Sequence, residues 1–209
     1  MRKLTLLAAV SALFFFVKLA AAQQGDVFFG GGTLLSSAPS AIQSADNNIA
    51  MRGGTYLNIG GDIAGFRHHL GFMVETSWRA SQADYFGNEE TYRPILTDFN
   101  VLYQPHLTKK VGLDLFGGIG VDSTRFYVPS VTSCSPFCIN YSSQERFMQH
   151  FGGGIRYYVW HHFFVRPEIH YYHIDGNDTL NSFTGNDFGF SSDNVIRVGG
   201  SIGFTLGPD

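Results

Sequence analysis

Ser77, Ser201, His170 and His173 are the residues whose types could assemble a nucleophile and its base. A serine hydroxyl attacks an acyl carbon only when a base within hydrogen-bond reach takes its proton, so either histidine could serve either serine in kind. No spacing singles out one pair, and the sequence by itself assigns no catalytic residue. The chain holds eight histidines. His68, His69, His106, His161 and His162 fall where the chain reads as short turns, so they would gather at one rim. A metal or anion site there competes with the plainer account of solvated turn residues.

Other motifs point to structure rather than chemistry. The GGG runs at 30–32 and 152–154 lack the Lys and Ser/Thr of a phosphate loop, and read as close packing and sharp strand curvature. Cys134 and Cys138 lie in TSCSPFCINY without further ligands at metal-binding spacing, so they predict a small disulfide loop in an oxidising compartment. No cofactor or metal is implied. A formal net charge of −3 offers nothing to nucleic acid or anionic lipid.

That compartment is also written at the start of the chain. MRKLTLLAAVSALFFFVKLAAAQQGD has a basic opening (Arg2, Lys3), an apolar run from Leu4 to Val17 and the small triplet Ala20-Ala21-Ala22. This is the layout of a signal peptide over residues 1–22, cleaved after Ala22, with Lys18 placed late. A retained anchor is the alternative, and the run is short for a span. Residues 23–209 then form one exported domain. Its 20 Phe, 10 Tyr and 25 Gly against 14 Lys plus Arg suit many tightly packed strands.

Period-two alternation gives eight strands, near 26–35, 55–66, 70–82, 93–104, 111–126, 146–160, 163–175 and 194–206. The connections alternate in length. RHHL, PHLTKK and HH are short, whereas 36–54, 83–92, 127–145 and 176–193 are long and rich in Ser, Asn, Asp, Gly and Thr. An up-and-down barrel with both termini at one end produces that pattern, with short turns at that end and long loops at the other.

One strand face carries the glycines, alanines and serines that a narrow barrel interior can hold, and also the charges. Facing inward it collects Asp62, Glu75, Arg79, Asp98, Asp114, Asp122, Arg156, Arg166, Glu168, His170 and Arg197. Such groups tolerate burial only when paired with one another or with trapped water. The other face carries Leu57, Ile59, Ile63, Phe72, Val74, Phe99, Val101, Leu113, Leu115, Ile119, Ile155, Val165, Ile169, Val198, Ile202 and Phe204, and meets lipid. A sheet in lipid must close, since an open edge leaves backbone groups unpaired. A soluble lipocalin-like barrel would place the two faces the other way. Trp78, Trp160, Tyr103, Tyr157 and Tyr171 suit interfacial girdles. Pro167 faces outward and lacks a ladder donor, which predicts a bulge or a place near the short-turn rim.

With FGGGIRYYVWHHFFVRPEIHYYHI (151–174) and VIRVGGSIGFTLG (195–207), the chain resembles small bacterial outer-membrane barrels, in particular the outer membrane protein beta-barrel domain family and the OmpA/OmpX-like superfamily. The resemblance implies an all-β, eight-stranded antiparallel transmembrane barrel in the outer membrane of a Gram-negative bacterium, with short periplasmic turns and long exterior loops. It implies outer-membrane lipids and the barrel assembly machinery as partners, and a monomer. It departs from the family where TLGPD follows Phe204, since many such barrels end on an aromatic residue that the assembly machinery reads.

Three functions stay open on these grounds. The first is a structural or surface-interaction protein with a plugged interior, whose long loops meet an extracellular or envelope ligand through aromatics such as Phe137, Tyr141, Phe183, Phe188 and Phe190. The second is a lipid A deacylase or acyltransferase of the kind some similar barrels are, using His170 or His173 with Ser201. The third is a narrow, low-conductance pore.

Overall fold

The computed structural model describes residues 24–36, 48–49, 51–66, 69–84, 91–127, 141–176, 189–190 and 192–207. The leader 1–22, Cys134, Cys138, Phe137, Phe183, Phe188 and His68 lie outside them. In chain order the strands are β1 (Gln24–Ser36), β2 (Asn48–Ile49), β3 (Gly54–Phe66), β4 (Leu70–Arg79), β5 (Ala83–Asp84), β6 (Thr91–Tyr103), β7 (Val111–Tyr127), β8 (Tyr141–Trp160), β9 (Phe163–Ile174), β10 (Gly189–Phe190) and β11 (Asp193–Leu206).

Eight of these form one antiparallel ring in the order β1-β3-β4-β6-β7-β8-β9-β11, closed by β1 against β11. Each barrel strand pairs with its neighbours in sequence, as hairpin connections dictate. β5 extends the β4 line against Thr91 and Tyr92 of β6, after the chain bends at Ala80–Gln82, so the expected third strand is interrupted before Gln82. β2 and β10 pair separately and in parallel.

Alternation in sequence becomes alternation in exposure. On β11, Ile202 is 64% exposed and its neighbour Ser201 is 4% exposed. Ile59, Ile63, Phe72, Val74, Phe99, Val101, Leu115, Ile119, Ile155, Val165, Ile169 and Val198 are exposed on the outer face, while Leu57, Leu113 and Phe204 are half-buried there. Tyr103, Tyr157 and Trp160 ring the short-turn end; Tyr171 and the half-buried Trp78 stand near the other.

Two local features shape the short-turn end. Gly65, at φ 105°, takes the extra position of a bulge between Ala64 and Phe66, and His69 turns the chain into β4 with φ 66°. A second register shift lies between Tyr158 and Trp160. Pro167 sits at neither the rim nor a bulge. It pairs across β11 with Gly200, while the β8–β9 ladder stops at Gly154/Glu168 and resumes at Tyr157/Val165 in the same register. The missing N–H removes ladder bonds without adding a residue, so the strand keeps its phase and the side chains keep their faces.

Candidate functional site

The lumen is the place where chemistry-bearing side chains converge, and glycine makes the room for them. Phe28, Phe116 and Phe164 lie opposite Gly60, Gly152 and Gly203 in the ladders. A methyl group at any of the three glycines would stand 2.2–2.4 Å from the facing ring. Each ring therefore lies flat over a backbone without a side chain. Together with Ala64, Met73 and Leu102 they form an apolar layer across the barrel.

Arginines stack on that layer. The guanidinium of Arg166 lies 4.2 Å from the Phe28 ring centre and that of Arg156 lies 4.2 Å from Phe164, distances at which a cation is drawn to the ring face. Arg156 binds Asp26, reaches Asp62 at 3.2 Å and donates to Asp114 at 3.0 Å. Arg166 donates to Glu168 at 2.9 Å and to Asp114 at 3.2 Å. Shared carboxylates join the two arginines into one network, which offsets part of the desolvation that burial imposes on each charge.

The middle of the lumen carries a directed chain of hydrogen bonds. Arg197 binds Glu75 and reaches His170 Nε2 at 2.8 Å; His170 Nδ1 meets His150 Nε2 at 2.9 Å; His150 Nδ1 meets Asn100 Oδ1 at 2.8 Å; and the Asn100 amide binds Asp98. A guanidinium only donates, so His170 Nε2 must accept, and every later proton position follows from that. The two imidazoles lie 2° from parallel, and Tyr172 stacks on His150 at 4.5 Å.

Towards the long-connection end, Arg146 binds Asp122 at 2.6 Å and reaches Asp193 at 3.7 Å. Asp193 also accepts the Met51 N–H at 2.9 Å, and the Tyr92 hydroxyl accepts that of Arg52 at 2.8 Å. These bonds hold Met51 in the mouth, fully buried with Leu34, Tyr56, Leu96, Met148, Tyr172, Ile174 and Val195.

Ten of the eleven expected lumen residues are thus buried: Asp62, Glu75, Asp98, Asp114, Arg156, Arg166, Glu168, His170 and Arg197 share one network, and Asp122 belongs to the separate Arg146 cluster. Arg79 has the inward register but not the company. It is half-exposed at the mouth, donating to Ser81 O at 2.9 Å and Gly53 O at 3.3 Å, because β4 ends there. Sequence reasoning missed Asp26, Arg146 and Asp193, and put Asn58 and Asn100 on the inward face without naming them in the network. Asp26 and Arg146 have the inward parity of their strands, the available signal, whereas Asp193 stands one residue before the expected start of its strand.

The acyl-transfer candidates do not meet. Ser201 Oγ donates to Glu168 at 3.2 Å, and His170 Nε2, the atom a base would use, already accepts from Arg197. His173 is half-exposed at the rim with Nδ1 2.8 Å from Asn194 Oδ1. Among the described residues no histidine is hydrogen-bonded to Ser77 or Ser201. Glu75, Glu168 and His170 bring possible metal-binding atoms within 4.8 Å of one another. Arg197 Nη2 reaches all three, so a guanidinium already supplies the positive charge there.

A closed ring of this size with an apolar exterior and ionic interior is the architecture of a membrane barrel, and comparison identifies which kind. The outer membrane protein beta-barrel domain matches residues 6–204. The chain belongs to this family. It lies in the outer membrane, with short periplasmic turns and long exterior loops. No curated protein matches it in sequence. Among solved structures it is similar to a major outer membrane protein of Thermus thermophilus (12% identity, TM-score 0.57, covering 88% of this chain and 100% of that one). It is also similar to Ail, the attachment invasion locus protein of Yersinia pestis (8%, 0.54, 89% and 99%), and to OprG from Pseudomonas aeruginosa (14%, 0.52, 90% and 98%). At these identities the likeness is one of fold.

Proposed function

We propose that this barrel is a structural or surface-interaction protein of the outer membrane, with a plugged lumen and no catalytic centre. The observation that carries this reading is that described side chains are buried in the lumen at successive levels, from the aromatic layer through the arginine networks to Met51. Eight strands enclose a space that side chains largely fill, which argues against an open aqueous column. The occupied His170 Nε2 supports the same reading against acyl transfer, because a base needs a free lone pair. Contacts with an extracellular or envelope ligand then fall to the long exterior connections, since binding surfaces on a rigid scaffold reside in its loops.

The test has two readouts on one preparation. The purified protein is reconstituted into planar bilayers for conductance, and its overproduction is followed by mass spectrometry of lipid A. Baseline current and unchanged acylation are expected. A steady conductance or a changed acyl-chain count, abolished by His170→Ala in a barrel that still shows heat-shifted gel mobility, would overturn the proposal.

A further inference from the structure

The periplasmic mouth is built unlike the rest of the lumen. A cavity of about 660 Å³ opens there. Its floor is polar: Gln24 Nε2 donates to the Tyr158 hydroxyl at 2.7 Å, and Thr205 Oγ1 donates to the same oxygen at 3.4 Å. Its rim comes from two turns, with His106, Lys109 and Lys110 on one side and Trp160, His161 and His162 on the other.

Both turns are stapled in place. Leu107 N and Thr108 N donate to Val111 O at 2.9 and 3.0 Å, and Thr108 Oγ1 accepts from Lys110 N and Val111 N at 3.2 and 3.1 Å. Tyr158 N donates to Lys110 O at 2.9 Å, and Thr205 N donates to His162 O at 2.8 Å, tying each turn to a barrel strand. The cations therefore stand on a frame ordered before any ligand arrives, which lowers the entropy that binding must overcome.

The charge of this rim is unanswered. Among the described residues its lining holds no carboxylate, and Lys109, Lys110, His106 and His161 enter no salt bridge. Above the floor the balance reverses. Among the described residues Asp26, Asp62, Glu75, Asp98, Asp114, Asp122, Glu168 and Asp193 are buried against four arginines. An anion is drawn to the mouth and repelled from the lumen, so the site holds rather than conducts.

We propose that this vestibule binds a phosphate-bearing ligand from the periplasmic side. Lys109 and Lys110 face it as point charges, His106 and His161 add ring donors, and Trp160 and Tyr158 supply an aromatic wall. Phosphate fits better than carboxylate because its several oxygens accept from donors spread around a rim, whereas planar carboxylate recognition favours the arginine fork and the described residues of the rim include no arginine. The phosphate belongs either to a soluble periplasmic molecule or to a phospholipid headgroup of the adjoining leaflet. This site is independent of the loop-based role proposed above.

The test uses the full barrel in phosphatidylcholine nanodiscs with Trp78→Phe, so that Trp160 is the remaining tryptophan. Inorganic pyrophosphate is titrated at constant ionic strength. A saturable change in Trp160 emission is expected, weakened at least about tenfold by Lys109→Gln with Lys110→Gln and unmoved by Arg125→Gln at the opposite end. Discs containing phosphatidylglycerol separate the sources. An unchanged midpoint there means a soluble ligand; a midpoint weakened by lipid competition, in the parent but not in the double variant, means a headgroup. No saturable response in either disc, or a response that the double variant retains in full, overturns the proposal. Heat-shifted gel mobility of each variant confirms a folded barrel.

Discussion

The two ends of the lumen are made from the same alternating strands and finish in opposite ways. At the exterior end the connection between β1 and β3 is long enough to return a residue into the mouth, and Met51 closes it among Tyr56, Leu96 and Tyr172. At the periplasmic end the turns are too short to fold back, so the strands stop over Tyr158 and leave a cationic cup. Connection length, rather than strand sequence, decides which mouth is sealed.

Removing the charge centre of the lower network tests this contrast most severely. Arg156→Met leaves Asp26 without a cation and Asp62 and Asp114 with Arg166 alone, and urea unfolding in lipid vesicles is expected to show a loss of about 3–5 kcal/mol. Arg146→Met strands only Asp122 and Asp193, the latter at a mouth nearer water, and about 2 kcal/mol is expected. Equal losses would mean that the two halves are not separate networks. Next comes the aromatic layer. Gly152→Val must push Phe116 off its seat and is expected to cost about 1–3 kcal/mol, read by the same unfolding curve.

At the exterior seal, Met51→Ala is expected to cost about 2 kcal/mol through the void it leaves. The accompanying rise in amide exchange belongs at Met51 and Arg52, whose N–H groups it loosens, and not at the periplasmic turns. The smallest effect is at the cup. Lys109→Gln with Lys110→Gln leaves the unfolding midpoint where it was, since exposed turn charges contribute little to stability. A large destabilisation there would show that the lysines hold the fold rather than face a ligand.

Much of this was legible in the chain. The eight barrel strands, their closure, and the inward face of residues such as Asp114 and Arg166 follow from a period of two, because the pleat leaves side chains no third direction. The partners did not follow. Nothing in the spacing of His150, His170 and Arg197 says that they line up across three strands, since lateral contacts depend on register and barrel stagger. Asp26 was missed because the glycines of β1 blur its alternation. Arg79 was overestimated because parity gives the face but not the height, and at the mouth an inward side chain meets solvent. Pro167 was misplaced for a different reason: a lost donor can be absorbed as a gap in one ladder when the strand on the other side, at Gly200, stays paired.

The seam between β1 and β11 carries one more consequence. There Gly30, Gly31 and Gly32 face Ser201, Gly200 and Gly199, and a methyl group at Gly32 or Gly199 would stand 2.3–2.5 Å from the opposite backbone. Strands so bare grip each other closely yet say little about alignment, because bare backbone is much the same one step along. The fastening of the first strand to the last must then be set from across the molecule. Arg197 meeting Glu75 and Asp26 meeting Arg156 work as locating pins: a slip of one residue would turn a charge out into hydrocarbon, so the ionic core acts as the gauge by which the cylinder closes true.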